Sequence, residues 1–213
     1  MASVKITELN PSGPLTGSEV LPIVQGNDTV KTTVQEIGSF TRPYKVYTAL
    51  LTQSGGSNPI TKTSGNLTIG VTYFIVNDGG DSWDFTNVGA PNNDIETSFV
   101  ATGTTPNSWG NDGALEYNEG APVVTVLENT IGNIYWTYSQ TGLYQANSDG
   151  LFTLNKTFGQ GTSTTAEDGT GFKVISVIPN NINTVNIYST NPIVELPFDT
   201  LLDNPPIEIR VYN

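Results

Sequence analysis

Cysteine and histidine are both absent from the 213 residues, and methionine occurs once. Without thiols there can be no disulfide framework, iron–sulfur cluster or cysteine-ligated zinc site. Without imidazole the usual Ser-His-Asp triads and most transition-metal centres are excluded. Cations are scarce: 8 Lys+Arg stand against 20 Asp+Glu, a net charge of −12, so a nucleic-acid groove lacks the clustered basic residues that phosphates require. Charged residues of both signs make up 13%, about half the usual share. No apolar run approaches a membrane span, and the opening MASVKITELNPSGPL has no stretch of signal-peptide length. The chain is therefore expected to be made in a cytoplasm, with no signal peptide and no membrane insertion.

What remains is threonine, asparagine and glycine around a 36% apolar complement, enough for packed cores. Long helices need Glu, Lys, Arg, Ala and Leu, whereas Thr favours strands and Asn and Gly favour the turns between them. The composition predicts an all-β protein.

Residues 1–43 form the first segment. Val4–Leu9 alternates like a short strand, and Val20–Gln25 and Thr29–Lys31 flank Gly26-Asn27-Asp28, a hairpin loop of about three residues. Thr33-Val34-Gln35-Glu36 has capping-box spacing and predicts one short helix over Thr33–Phe40, closed by Gly38 and Pro43. Some 40 residues cannot bury a stable core, so this segment is expected to dock on something else.

Short apolar or aromatic runs ending in Gly, Asn, Asp or Pro follow. They predict strands over Tyr44–Thr52, Leu67–Asn77, Ile95–Ala101, Val123–Glu128, Asn133–Tyr138, Leu143–Asn147, Leu151–Thr157, Phe172–Ile178, Thr184–Ser189 and Ile207–Tyr212. Thr162–Gly171 is expected to be a loop. This spacing without helices suggests a β-sandwich or jelly-roll-like domain. Between Lys62 and Lys156 there is no basic residue, yet that window holds ten Asp and Glu. Such a shift in composition suggests an inserted acidic β module, giving 1–43 as an adaptor, 44–58 with 121–213 as the sandwich, and 59–120 as the insertion.

Lys5–Ile37, with Leu15–Glu19, Leu21–Gln25 and Thr32–Thr33 in order, resembles the N-terminal segment of tailed-bacteriophage fibre and spike proteins. Tyr44–Gln53 and Pro122–Gly132, with Ile134–Thr137, Gly142–Tyr144, Leu151–Thr157 and Pro206–Tyr212, resemble a second block of phage virion proteins, whose first two phrases normally lie close together. Asp84–Gly89 with Phe99–Trp109 is similar to a third phage-associated module, placed between them. The resemblance implies a non-enzymatic virion structural protein, made in a bacterial host: a short homo-oligomeric fibre, spike or decoration subunit, expected to be trimeric. Its other implied partners are virion proteins of the capsid or tail, met through the N-terminal segment, with Leu21, Ile23, Val34, Ile37 and Phe40 as attachment residues. No long-fibre shaft repeat is present.

A receptor- or glycan-binding module on the host-facing surface is the alternative, with Trp83 and Trp109 as stacking residues. Large aromatics are also what fills a sandwich core. Asp78-Gly-Gly-Asp-Ser-Trp-Asp84 could supply oxygens to Ca²⁺, or be a solvated turn; it does not follow EF-hand order. Gly159-Gln-Gly161 lacks the Gly-Lys-[Ser/Thr] of a phosphate loop. Two carboxylates would suffice for a glycosidase, but no pattern selects a pair. No catalytic residue, metal or cofactor is therefore expected.

Overall fold

The computed structural model describes residues 18, 20–25, 27–34, 37, 42–53, 58–79, 83–110, 112–165, 172–191, 196–197, 199 and 202–212. The chain forms two compact units, Met1–Pro43 and Tyr44–Asn213. Antiparallel strands dominate the described residues, and no helix among them reaches seven residues. It is an all-β protein.

In the first unit, β1 (Val20–Gln25) pairs antiparallel with β2 (Asp28–Thr33). Gln25 lies opposite Asp28, so two residues, not three, connect the strands; two-residue connections best match strand twist. Thr33 ends the ladder opposite Val20, and helical backbone follows directly at Val34 and is found again at Ile37. The expected strand Val4–Leu9 and the remaining helix residues, Phe40 among them, lie outside the described residues.

The second unit begins with β3 (Tyr44–Thr52), β4 (Pro59–Lys62), β5 (Thr72–Gly79), β6 (Trp83–Asp84), β7 (Ser98–Val100), β8 (Ser108–Trp109) and β9 (Asp112–Asn118). It continues with β10 (Val123–Asn129), β11 (Tyr135–Gln140), β12 (Leu143–Asn147), β13 (Thr157–Gln160) and β14 (Ser163–Thr165). The last four are β15 (Phe172–Pro179), β16 (Thr184–Asn191), β17 (Leu196–Pro197) and β18 (Asp203–Tyr212). One sheet has the order β10-β3-β18-β13; a second runs β11-β12-β16-β15-β14, with β17 beside β16. A third is β4-β9-β5-β7, and β6 and β8 form a two-stranded ribbon.

The first two sheets share one core. Period-two alternation puts Tyr47, Ala49 and Leu51 of β3 and Ile207, Ile209 and Val211 of β18 on one inner face. Trp136, Tyr144, Ala146, Ile175, Val177, Val185 and Ile187 supply the other. Leu67, Tyr73, Ile75, Phe85, Val88, Phe99 and Leu115 belong to a second core, drawn wholly from residues 67–115. Backbone joins the two at β11 and β10: Trp136 N–H donates to Thr72 Oγ1 (2.9 Å) and Val124 N–H to the Gly70 carbonyl (2.8 Å). Gly70 is at φ +85°, and a Cβ there would lie 2.5 Å from the Val124 carbonyl oxygen, so this approach needs glycine.

Several boundaries differ from the sequence expectation. Thr68–Gly70 turns, the Val71 N–H bonding back to the Thr68 carbonyl, so the strand begins at Thr72 rather than Leu67. Ile95 and Glu96 form a turn before β7. Leu151–Lys156 is not a strand: Asn155 adopts φ +63° and Thr157 Oγ1 closes the loop onto the Thr153 backbone. Ser163–Thr165, expected as loop, pairs with β15. Both β4 and β9 went unpredicted, since Pro59 and the Asp/Gly/Asn-rich stretch Asp112–Asn118 carry turn-forming residues; mutual pairing and the burial of Leu115 make them strands.

Candidate functional site

The phrase Asp84–Gly89 is a structural device in which every side chain has a fold-building task. Phe85 and Val88 are buried in the second core, and a 3-10 turn spans Thr86–Val88. Asp84 Oδ1 accepts from the Thr86 hydroxyl (2.6 Å), the Thr86 N–H (2.9 Å) and Asn93 Nδ2 (3.4 Å), and its Oδ2 from Asn107 Nδ2 (2.8 Å). The Thr86 hydroxyl first, then the Asn107 amide, hold this carboxyl well below the usual carboxylate range. Asn87 ties the same loop to Thr105 and Asn107. Gly89 sits at φ +113°, where a Cβ would meet the Val100 carbonyl at 2.6 Å.

Trp83 and Trp109 lie opposite one another on the β6–β8 ribbon. Both are half-buried against the second core, Trp109 edge-on to Phe85 at 5.2 Å. Their indole N–H groups donate to the carbonyls of Asn93 (2.9 Å) and Gly65 (3.1 Å), so the polar edge of each ring is spent on the fold. Trp136 is fully buried in the first core and donates to the Tyr47 hydroxyl at 3.2 Å. Burial pushes the Tyr47 phenol up to about 12 against the partial relief of that bond. In the acidic loop 78–84, residues 80–82 lie outside the described residues, and both Asp84 oxygens are engaged as above. Among the described residues, no three His, Cys, Asp or Glu side chains gather as a metal site would require.

Of the expected attachment residues, Leu21 and Ile37 are exposed and Val34 is half-buried. The Ile23 side chain and Phe40 lie outside the described residues. Val20 is exposed as well, and Val30 is half-buried.

Two polar assemblies were not anticipated from sequence. Asp199 accepts from the Tyr138 hydroxyl (2.8 Å), the Gly142 N–H (2.9 Å) and the Tyr144 hydroxyl (3.2 Å), while Tyr144 also reaches Gln53 Oε1 (2.8 Å). Desolvation pushes the Tyr144 phenol up, and this carboxylate adds to the rise. Such a network fixes the β11–β12 turn to the segment before β18.

The second is an open cleft of about 410 Å³ lined by Asn92, Glu96, Asn133, Tyr135, Asp149 and Asn183 among others. It runs between the turn before β7 and the ends of β11, β12 and β16. Glu96 is at φ +69°; among the described residues the other two non-glycine residues at positive φ are asparagines, Asn155 and Asn204. Asparagine adopts that conformation more readily than glutamate, for which it costs roughly 1–2 kcal/mol. Among the described residues, no Lys or Arg lines the cleft. No spacing in the sequence signals it, because its residues come from four separated stretches of chain.

The chain matches no protein-family model, no curated protein and no solved structure.

Proposed function

We propose that this protein is a non-enzymatic structural subunit of a tailed-phage particle, a short homo-oligomeric fibre, spike or decoration protein, attached through residues 1–43. The carrying observation is the surface of the first unit. Val20, Leu21 and Ile37 are 55%, 43% and 40% exposed, and Val30 and Val34 are only half-buried. A segment that small cannot stabilise itself without burying apolar area on a partner. The resemblance of its phrases to virion attachment segments names the kind of partner, a neighbouring particle protein. Self-association, as a trimer, would similarly cover Leu127 and Phe158, which are exposed on the edge strands β10 and β13. The resembling phrases in the second unit also build cores and turns, as scaffold sequence does.

The test is incorporation. Leu21→Asp and Ile37→Asp change exposed side chains and should leave the unfolding temperature of the second unit within a few degrees, while removing the protein from assembled particles. Normal incorporation of both variants would overturn the attachment role, and a monomer by sedimentation at high concentration would overturn self-association.

A further inference from the structure

We propose that the cleft between the β7 turn and the ends of β11, β12 and β16 binds a neutral saccharide, independently of where the subunit sits on a particle. The argument begins with amide orientation. Asn92 Oδ1 accepts from the Asp94 N–H (3.1 Å), as well as from the Thr97 hydroxyl, and Asn183 Oδ1 accepts from the Gly150 N–H (2.9 Å). Backbone N–H groups can only donate, so the oxygen of each amide is fixed and the NH₂ is left over. Asn133 is reversed: its Nδ2 donates to the Ser98 carbonyl (3.0 Å), which leaves its oxygen.

The Glu96 and Asp149 carboxylates and the Tyr135 hydroxyl have no hydrogen-bond partner among the described residues, and all three residues line the same cleft. The unused set is thus two amide donors, one amide acceptor, two carboxylate acceptors and a phenol beside a half-buried ring. Vicinal hydroxyls, each both donor and acceptor, satisfy such a mixture, and an aromatic face suits the C–H side of a sugar ring.

Other ligands fit less well. A cation wants converging oxygens, but the Asn92 and Asn183 oxygens are taken and the remaining NH₂ groups would point positive charge at it. An anion would meet two carboxylates with no Lys or Arg to offset them. Glu96 adds a second observation: the chain keeps a long acidic side chain in a conformation that glycine would adopt freely. Local strain of this kind is retained where the side chain is needed.

The experiment uses the full chain, labelled for amide NMR and titrated with maltotetraose, cellotetraose, chitotetraose and mannotetraose, and separately with a polysialic acid fragment and with CaCl₂. At least one neutral tetrasaccharide should give saturable shifts at Glu96, Asn133 and Tyr135, and the polyanion and Ca²⁺ should give none there. The double variant N92D/N183D keeps both Oδ1 acceptors while replacing the donors by oxygens; it should bind at least tenfold more weakly at an unchanged unfolding temperature. Glu96→Gly, which removes the carboxylate and suits the backbone, should lose binding without loss of fold. No shift with any of the four neutral sugars, equal binding by either variant, or the same shifts with polysialate or Ca²⁺ would overturn the proposal, and none of these outcomes touches particle attachment.

Discussion

Replacing Tyr47 by Phe removes one hydroxyl from the centre of the sandwich, and its effect divides into two parts with different pH dependence. Tyr47 is 1% exposed and its oxygen receives the indole N–H of the equally buried Trp136. The variant leaves that N–H without its acceptor in an apolar core, which costs roughly 1–3 kcal/mol. The second part comes from the phenol's own proton. Burial raises the Tyr47 pKa to about 12, against about 10 in the unfolded chain. Below pH 10 both states hold the proton and the hydroxyl's contribution is complete. Between 10 and 12 only the unfolded state releases it, so wild-type stability falls by about 1.4 kcal/mol per pH unit. Above the folded value the loss stops, at roughly 2–3 kcal/mol. The variant has no such proton. Urea unfolding from pH 8 to 12 should therefore show the wild type more stable at pH 8 and its advantage closing, then vanishing, by pH 12. Subtracting the variant cancels the other tyrosines. A gap that stays constant across that range would refute the assignment of a buried, proton-retaining Tyr47, and an equal stability at pH 8 would refute the indole bond as a contributor.

Two glycines offer a test of the sheet-to-sheet joint. A Cβ on Gly159 would lie 2.4 Å from the Val177 carbonyl oxygen, and one on Gly161 closer still to that of Ile175; because the obstacles are backbone, Gly159→Ala and Gly161→Ala should each lower stability by at least the ~1–3 kcal/mol of core overpacking, read by thermal unfolding. Gly150→Ala, with open space around it but φ +67°, should cost only the left-handed conformation, roughly 1–2 kcal/mol. Asp84 makes an acid-side prediction: since its folded pKa is lowered, its contribution is present above the ordinary carboxylate range and lost as pH falls through the folded value. Asp84→Ala should accordingly unfold at a lower temperature than wild type at pH 7, with the difference shrinking below about pH 4.

Where local patterning and tertiary demand coincide, the sequence was sufficient. Tyr44–Thr52 and Leu143–Asn147 occur as strands with the expected bounds, because each alternates residues that bury against one facing core and ends at a turn former. The all-β class followed from the same source, a composition poor in helix formers. The Gly159-Gln-Gly161 phrase, by contrast, carries a meaning invisible along the chain. Both glycines are required because β13 closes on the carbonyl oxygens of β15, a contact between residues distant in sequence. Asp112–Asn118 looks like a turn until β4 and β5 flank it and bury Leu115. Leu151–Thr157 alternates like a strand yet turns, since burying Phe152 together with the Thr153–Thr157 bonds outweighs its propensity.

The cleft is the extreme case. Glu96, Asn133, Asp149 and Asn183 are ordinary exposed polar residues one by one, with no spacing that connects them. What the sequence determined by itself is the all-β class, the alternating faces of strands such as Tyr44–Thr52, and the exclusion of thiol, imidazole and polycation chemistry. Only the tertiary structure decided which exposed amide ends and carboxylates face one cleft together. Hydrogen-bond saturation is settled after packing has chosen the partners, and those partners come from across the fold.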